Sequence, residues 1–103
     1  MFIVRIDLKI AEAARAAFRD YARSGGRDAY ALPGCRDYSF CEDLADPTRV
    51  LLYEEWATRE HFEAYRASTI FEAIGARLRP MLAAPPKSAY YESDDVFASC
   101  AVR

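Results

Sequence analysis

The chain has 103 residues, of which 52% are hydrophobic and 14% aromatic, enough for one domain with one packed core and not typical of a disordered protein. Its formal net charge of −2, from 14 basic and 16 acidic side chains, argues against a nucleic acid partner. No apolar run could span a bilayer and the first residues show no export-signal pattern, so we predict no membrane partner and a cytoplasmic location.

The first part of the chain predicts a strand and then a helix. Residues 2–10 alternate between two faces, which is typical of a strand. An apolar stripe at helical spacing follows and includes Phe18, and the Ser-Gly-Gly sequence at 24–26 should end or loosen that helix. Residues 27–32 are expected to add a further turn before Pro33-Gly34 ends it.

The middle of the chain predicts a β-hairpin. Residues 35–43 form the first predicted strand, with Arg36 and Tyr38 on one face, and a turn rich in Asp and Pro follows it. Residues 49–57 form the strongest predicted strand of the sequence. Because only a short turn separates them, the two strands should pair in an antiparallel hairpin.

The last part predicts a broken helix and a final strand. Thr58 is predicted to cap the first helical piece, and Thr69 with Glu72 fits a capping box for the second. Prolines from Pro80 onward end the helix, and residues 87–92 follow as a short strand.

The predicted order β-α-β-β-α-β is that of the ferredoxin-like split βαβ fold, an α+β class with a four-stranded antiparallel sheet and its helices on one face. We assign residues 1–93 to this domain and residues 94–103 to a C-terminal tail. The helices can cover only one face of the sheet, whereas the hairpin is apolar or aromatic on both faces. We therefore expect a homodimer in which a second copy covers the other face.

The cysteines and the single histidine, His61, restrict metal and redox chemistry. An odd number of cysteines without an export signal favours reduced thiols. Cys35 and Cys41 on one strand would lie about 20 Å apart, too far for a disulfide. No C-x-x-C motif occurs, so the sequence predicts no zinc or iron site built from His and Cys.

A series of short motifs runs in order through the chain: PGC at 33–35, D-x-x-DP at 43–47, YEEW at 53–56, T-R-E at 58–60, A-Y-R-A-S at 64–68 and PP-x-x-x-x-Y at 85–91. Over nearly the whole of residues 2–92 this series resembles the antibiotic biosynthesis monooxygenase family of dimeric α+β barrels. The resemblance implies an oxygenase that uses neither metal nor flavin, so we predict no cofactor. It also implies a small quinol-like or polycyclic aromatic substrate, which reduces O2 after losing a proton.

Such a reaction needs an aromatic pocket and a base. The candidate catalytic residues are Trp56, Tyr65, Glu54 and His61, and the candidate substrate-binding residues are Tyr38, Phe40, Phe62, Phe71, Arg5 and Asp7.

Three of these side chains compete for the role of base. His61 has a suitable ordinary pKa, but the first turn of a helix favours an exposed position. Asp7 lies beside Arg5 on its strand, where an ion pair is the simpler interpretation. Glu54 shares a strand face with apolar residues, which would raise its pKa, and Glu55 on the other face is its rival.

Departures from the family pattern leave another interpretation open. The positions at which many quinol-oxidising relatives carry histidine hold Tyr65 and Ile70, and the haem-degrading branch would have a tryptophan and a histidine where this chain has Tyr65 and Gly75. The alternative is a non-catalytic dimeric α+β barrel that binds a small apolar ligand or acts as a structural or stress-responsive dimer. Under either interpretation we expect Phe40, Phe62 and Phe71 to be core residues first and part of the pocket wall second.

Overall fold

The structure, a computed structural model, describes residues 1–24 and 28–94 and confirms the ferredoxin-like α+β fold. Within these residues no helix is long and apolar enough to cross a membrane. Short 3-10 turns lie before the first helix, before the second strand and after the third helix. The helices and strands are β1 (Phe2–Lys9), α1 (Arg15–Ser24), β2 (Cys35–Glu42), β3 (Arg49–Trp56), α2 (Arg59–Arg66), α3 (Thr69–Leu78) and β4 (Lys87–Glu92).

The four strands form one antiparallel sheet in the order β2-β3-β1-β4, so β1 and β3 are central. Val4 on β1 and Tyr38 on β2 both stand opposite Glu54 of β3. Side chains in register on neighbouring strands point to the same face of a sheet. The register therefore places a carboxyl group between an aliphatic and an aromatic neighbour at the centre of the sheet.

The helices pack on one face of this sheet and form the core with it. Alternate residues of β3 are buried, because every second side chain of a strand points to the same side. The helical stripe around Phe18 is confirmed, since Phe18 and Tyr21 of α1 are both buried. The core also contains Phe2, Val4, Leu8, Val50, Leu52, Trp56, Phe62, Tyr65, Ile74 and Leu78.

The other face of the sheet is open in the single chain, and it is mixed rather than apolar. Leu51 and Tyr53 of β3 are half-buried there, but Arg5 of the neighbouring strand is exposed. The Tyr53 hydroxyl donates to Glu55 Oε2 at 2.5 Å. The expectation of apolar residues on both faces therefore holds for only part of this surface.

Two local predictions need correction. The cap of α3 is Ser68 rather than Thr69, because Ser68 Oγ accepts the Phe71 backbone N–H at 3.2 Å and Thr69 is already helical. Arg36 does not continue the alternation of β2, since the register shifts between Cys35 and Asp37 and leaves Arg36 opposite no residue of β3.

Other local predictions are confirmed. Thr58 caps α2 by accepting the His61 backbone N–H at 3.2 Å, and a 3-10 turn occupies Asp28–Ala31 within the predicted extra turn. The predicted break at Gly25-Gly26 and the tail from residue 95 onward lie outside the described residues.

Gly34 joins this turn to β2 and has a positive φ of 80°. Its carbonyl accepts the Ala57 N–H at 2.7 Å, which ties the start of β2 to the end of β3. A Cβ at this position would lie 2.2 Å from the Cγ atom of His61. The glycine therefore serves both the turn and the close approach of α2.

Candidate functional site

A cavity of about 230 Å³ lies between the sheet and the helices α2 and α3. For comparison, a dry cavity of about 150 Å³ in another protein holds a benzene molecule, so this one suits a molecule of one or two rings. Its walls are mainly aliphatic and aromatic. They include Ile6, Leu8, Leu52, Ile74, Leu78 and Leu82, together with Tyr38, Phe62, Tyr65, Phe71 and Tyr90.

Glu54 places a carboxyl group in this apolar wall. Its residue is 1% exposed, and its Oε1 atom accepts a hydrogen bond from Trp56 Nε1 at 2.9 Å. Burial raises the pKa of Glu54 to about 7, against the lowering effect of the bond from Trp56. Such a carboxyl can hold or release a proton near neutral pH, as a general base must.

Trp56 is hydrogen-bonded to the Glu54 carboxyl group from outside the cavity. It is fully buried and is not part of the cavity wall. Its ring stacks on that of Tyr65, with 5.0 Å between centroids and 21° between planes. Because residues two apart on a strand share a face, the Glu-x-Trp spacing lets the indole N–H reach Glu54. Trp56 is therefore placed to position two residues that do line the cavity.

Two buried tyrosines add hydroxyl groups to the same cavity. The hydroxyls of Tyr38 and Tyr65 lie 3.2 Å apart in a hydrogen bond. Burial raises the pKa of both phenols well above the ordinary value, so both stay protonated at neutral pH. The site thus combines one carboxyl that titrates near neutrality with phenols that remain hydrogen-bond donors.

The structure brings some of the predicted site residues together. Glu54, Tyr38, Phe62 and Tyr65 all line the cavity. Phe71 also lines it, but at 37% exposure it forms part of the rim, so its assignment to the core is wrong. Its ring meets that of Tyr65 edge-on at 5.3 Å.

Four other predicted site residues do not line the cavity. Phe40 is half-buried and packs against α1, with its ring 5.4 Å from that of Phe18. His61 lies at the start of α2, where its Nδ1 atom is 2.8 Å from the Oγ1 atom of its cap residue. Arg5 and Asp7 lie on the open face of the sheet, because their strand positions alternate with those that face the helices.

Two charged residues of the cavity, Arg66 and Arg79, were not predicted from the sequence. Arg66 belongs to the A-Y-R-A-S motif, one position after Tyr65, and Arg79 follows α3 directly. Tyr90 was also missed, although it alternates with Tyr91 on the last strand and so points to the helical side. Among the described residues no group of three or more His, Cys, Asp or Glu is placed to hold a metal ion.

These features define a ferredoxin-like domain with a small apolar cavity between its sheet and helices, a form suited to binding a flat ligand. The sequence model of the antibiotic biosynthesis monooxygenase family matches residues 1–77. The chain therefore belongs to this family. None of the curated proteins compared with it matches.

Solved structures show the same fold at low sequence identity. A Nitrosomonas europaea protein described under the family name has a TM-score of 0.82 and 22% identity, covering 90% of this chain and 98% of its own. A Deinococcus radiodurans protein described in the same way has a TM-score of 0.81 and 23% identity, covering 95% of this chain and 97% of its own. A conserved protein from Methanosarcina mazei has a TM-score of 0.82 and 19% identity, covering 90% of this chain and 92% of its own. At these identities the likeness establishes the fold alone.

Proposed function

We propose that the chain is a cofactor-independent monooxygenase that oxidises a small quinol-like or polycyclic aromatic molecule with O2. One observation carries the proposal: a carboxyl group whose pKa is near 7 lies in the apolar wall of a cavity that suits one or two aromatic rings. A polycyclic substrate would insert only its reactive ring. Membership of the family agrees with this activity.

The reaction would begin when the Glu54 carboxylate takes a proton from a phenolic O–H or an activated ring C–H. The resulting anion passes one electron to O2, and the substrate radical and superoxide then combine to form a C–O bond. The peroxide on carbon receives the proton back from Glu54. Loss of the remaining proton from that carbon then breaks the O–O bond. One oxygen atom stays as a carbonyl and the other leaves as water, so four electrons pass from substrate to O2.

The surroundings of Glu54 would assist in two ways. The apolar wall excludes water, which protects the radical and the peroxide from side reactions. Both phenols stay protonated, and because one O–H is used in the bond between Tyr38 and Tyr65, the other O–H of the pair can donate to the oxygen anion of the substrate. At the rim, the Phe71 side chain would pack against the flat face of the substrate ring.

The proposal includes a homodimer formed through the open face of the sheet. Its support is a set of half-buried apolar side chains on the central strands, Ile3, Leu51 and Tyr53, that the helices of the same chain leave uncovered. Sedimentation at micromolar concentration should give twice the mass of the 11.7 kDa chain. A single-chain mass would contradict this part of the proposal.

Oxygen uptake with a panel of hydroquinones and anthrones tests the activity. We expect uptake above the buffer rate for at least one substrate, and a loss of about 100-fold or more in E54Q. E55Q is the matched control, because Glu55 is the neighbouring carboxyl on the opposite face of the same strand. It should keep the wild-type rate.

Two results would overturn the assignment. Equal losses in E54Q and E55Q would show that Glu54 has no special role. If every substrate left the uptake at the buffer rate while one still bound in the cavity, the chain would be a non-catalytic ligand-binding barrel. That outcome would match the second interpretation of the sequence.

A further inference from the structure

Arg66 and Arg79 stand at the mouth of the cavity. Both residues line it and both are exposed, as is expected where a cavity opens to solvent. Arg66 is the last residue of α2, whereas Arg79 follows the last residue of α3. Two helices thus contribute one positive charge each to the same opening.

Within the described residues neither of the two guanidinium groups takes part in a hydrogen bond or an ion pair, although many cationic side chains of the surface do. Arg19 and Glu42 approach to 2.8 Å, for example, as do Arg59 and Glu92. The two charges at the cavity are therefore not neutralised by a neighbouring carboxylate.

The carboxyl group of the cavity does not neutralise them either. Glu54 is 1% exposed and forms no ion pair with an arginine among the described residues, whereas Arg66 and Arg79 are both exposed. The cavity therefore has two separate polar ends, a carboxyl group in its wall and a pair of guanidinium groups at its mouth.

Gly75 provides the space in which Arg79 lies. A Cβ atom at Gly75 would be only 2.7 Å from Arg79 Nη1, and Gly75 itself lines the cavity. The Arg79 guanidinium thus crosses α3 where the helix lacks a side chain. An alanine there would force the guanidinium to move.

From this arrangement we propose that the cavity takes an aromatic acid, in which a hydroxyl-bearing ring lies against Glu54 and a carboxylate reaches Arg66 and Arg79. The proposal rests on the proposed function for the reactive end of the ligand. Guanidinium groups suit carboxylates because their N–H donors match the two carboxylate oxygens. The apolar wall between the two ends fits the ring system that would connect them.

A matched pair of ligands tests this inference without any turnover. The probes are 6-hydroxy-2-naphthoate and its methyl ester, with binding measured by calorimetry under argon at pH 6, where Glu54 is mostly protonated. The acid should bind the wild-type protein about tenfold more tightly than the ester, and added salt should reduce the difference.

Three variants locate the interaction. R66Q and R79Q should each weaken binding of the acid about fivefold to tenfold and leave the ester unchanged. R77Q is the control, because it removes the same charge from α3 but from a side chain that lies over the Tyr21 ring at 5.1 Å. G75A should weaken binding of the acid through the displaced Arg79.

Equal affinities for acid and ester in the wild-type protein would overturn the inference, as would an R77Q effect as large as that of R79Q. Either result would leave the oxygenase proposal intact if uncharged quinols still consume O2. Conversely, a preference for the acid in a protein that consumes no O2 would support the anion site and contradict the oxygenase proposal. The two failures are therefore distinguishable.

Discussion

The folded chain should lose stability between about pH 5 and pH 8, because Glu54 must then ionise inside an apolar wall. Its pKa is about 7 in the folded chain, against an ordinary value of 4.5. The folded state therefore holds the proton more tightly than the unfolded state does. The resulting stabilisation is complete below about pH 4.5 and is lost as the pH rises through about 7. The full difference between these two pKa values corresponds to about 3 kcal/mol in the free energy of unfolding.

E54Q isolates this effect from other ionisations. Glutamine has nearly the same shape, can still accept the bond from Trp56 Nε1 and carries no charge. The pKa values of Glu42 and Asp46 are lowered by their partners, so these groups lose stabilising interactions on acidification in both proteins. Their contribution cancels when the variant is compared with wild type at each pH.

The assay is urea unfolding at fixed protein concentration, from pH 5 to pH 8. The free energy of unfolding of E54Q relative to wild type should increase by about 2 to 3 kcal/mol over this range. E55Q controls for the removal of one negative charge. A difference between E54Q and wild type that stays constant with pH would refute the claim that burial controls this carboxyl group.

Three further predictions concern the surroundings of the carboxyl group and the turn before β2. W56F removes the indole donor, whose hydrogen bond lowers the pKa of Glu54. The pH at half-maximal rate should therefore rise above about 7, and the free energy of unfolding should fall by about 2 kcal/mol. An unchanged midpoint of the pH–rate profile would contradict the positioning role of Trp56. Y65F leaves the buried Tyr38 hydroxyl without a partner and should lower the free energy of unfolding by about 1 to 2 kcal/mol. The double variant Y38F/Y65F should lose less stability than the sum of the two single variants, and additive losses in urea unfolding would exclude a coupling between the hydroxyls. G34A should destabilise the fold by more than about 2 kcal/mol in thermal unfolding, because its φ is positive and its Cβ would collide with His61. G75A should be close to neutral, because only a flexible arginine must move. Similar losses of stability in the two variants would contradict the steric argument.

The alternation of residues along the chain was sufficient to predict the sheet and to place Glu54 and Glu55 on opposite faces of β3, but not to decide which of the two is buried. A strand has a side-chain period of two, so Glu54 had to share a face with Leu52 and Trp56 wherever the strand lay. The order of the elements then selected the ferredoxin-like fold.

Sequence reasoning could not predict contacts between elements that are far apart in the chain. Phe40 packs against α1 rather than the cavity, since α1 covers the β2 edge of the sheet and the cavity lies beneath α2 and α3. Arg79 reaches the cavity by crossing Gly75, which depends on how α3 lies on the sheet. The capping-box pattern selected Thr69, but the adjacent Ser68 also has a hydroxyl that can cap a helix, and the start of α3 in the structure makes Ser68 the cap.

The most direct test is to follow the carboxyl carbons of ¹³C-labelled glutamate side chains by NMR from pH 3 to pH 9. One carboxyl group should titrate near pH 7, its signal should be missing in E54Q, and its midpoint should rise in W56F. If every glutamate titrated near its ordinary value of about 4.5, Glu54 would not be the base that this account requires.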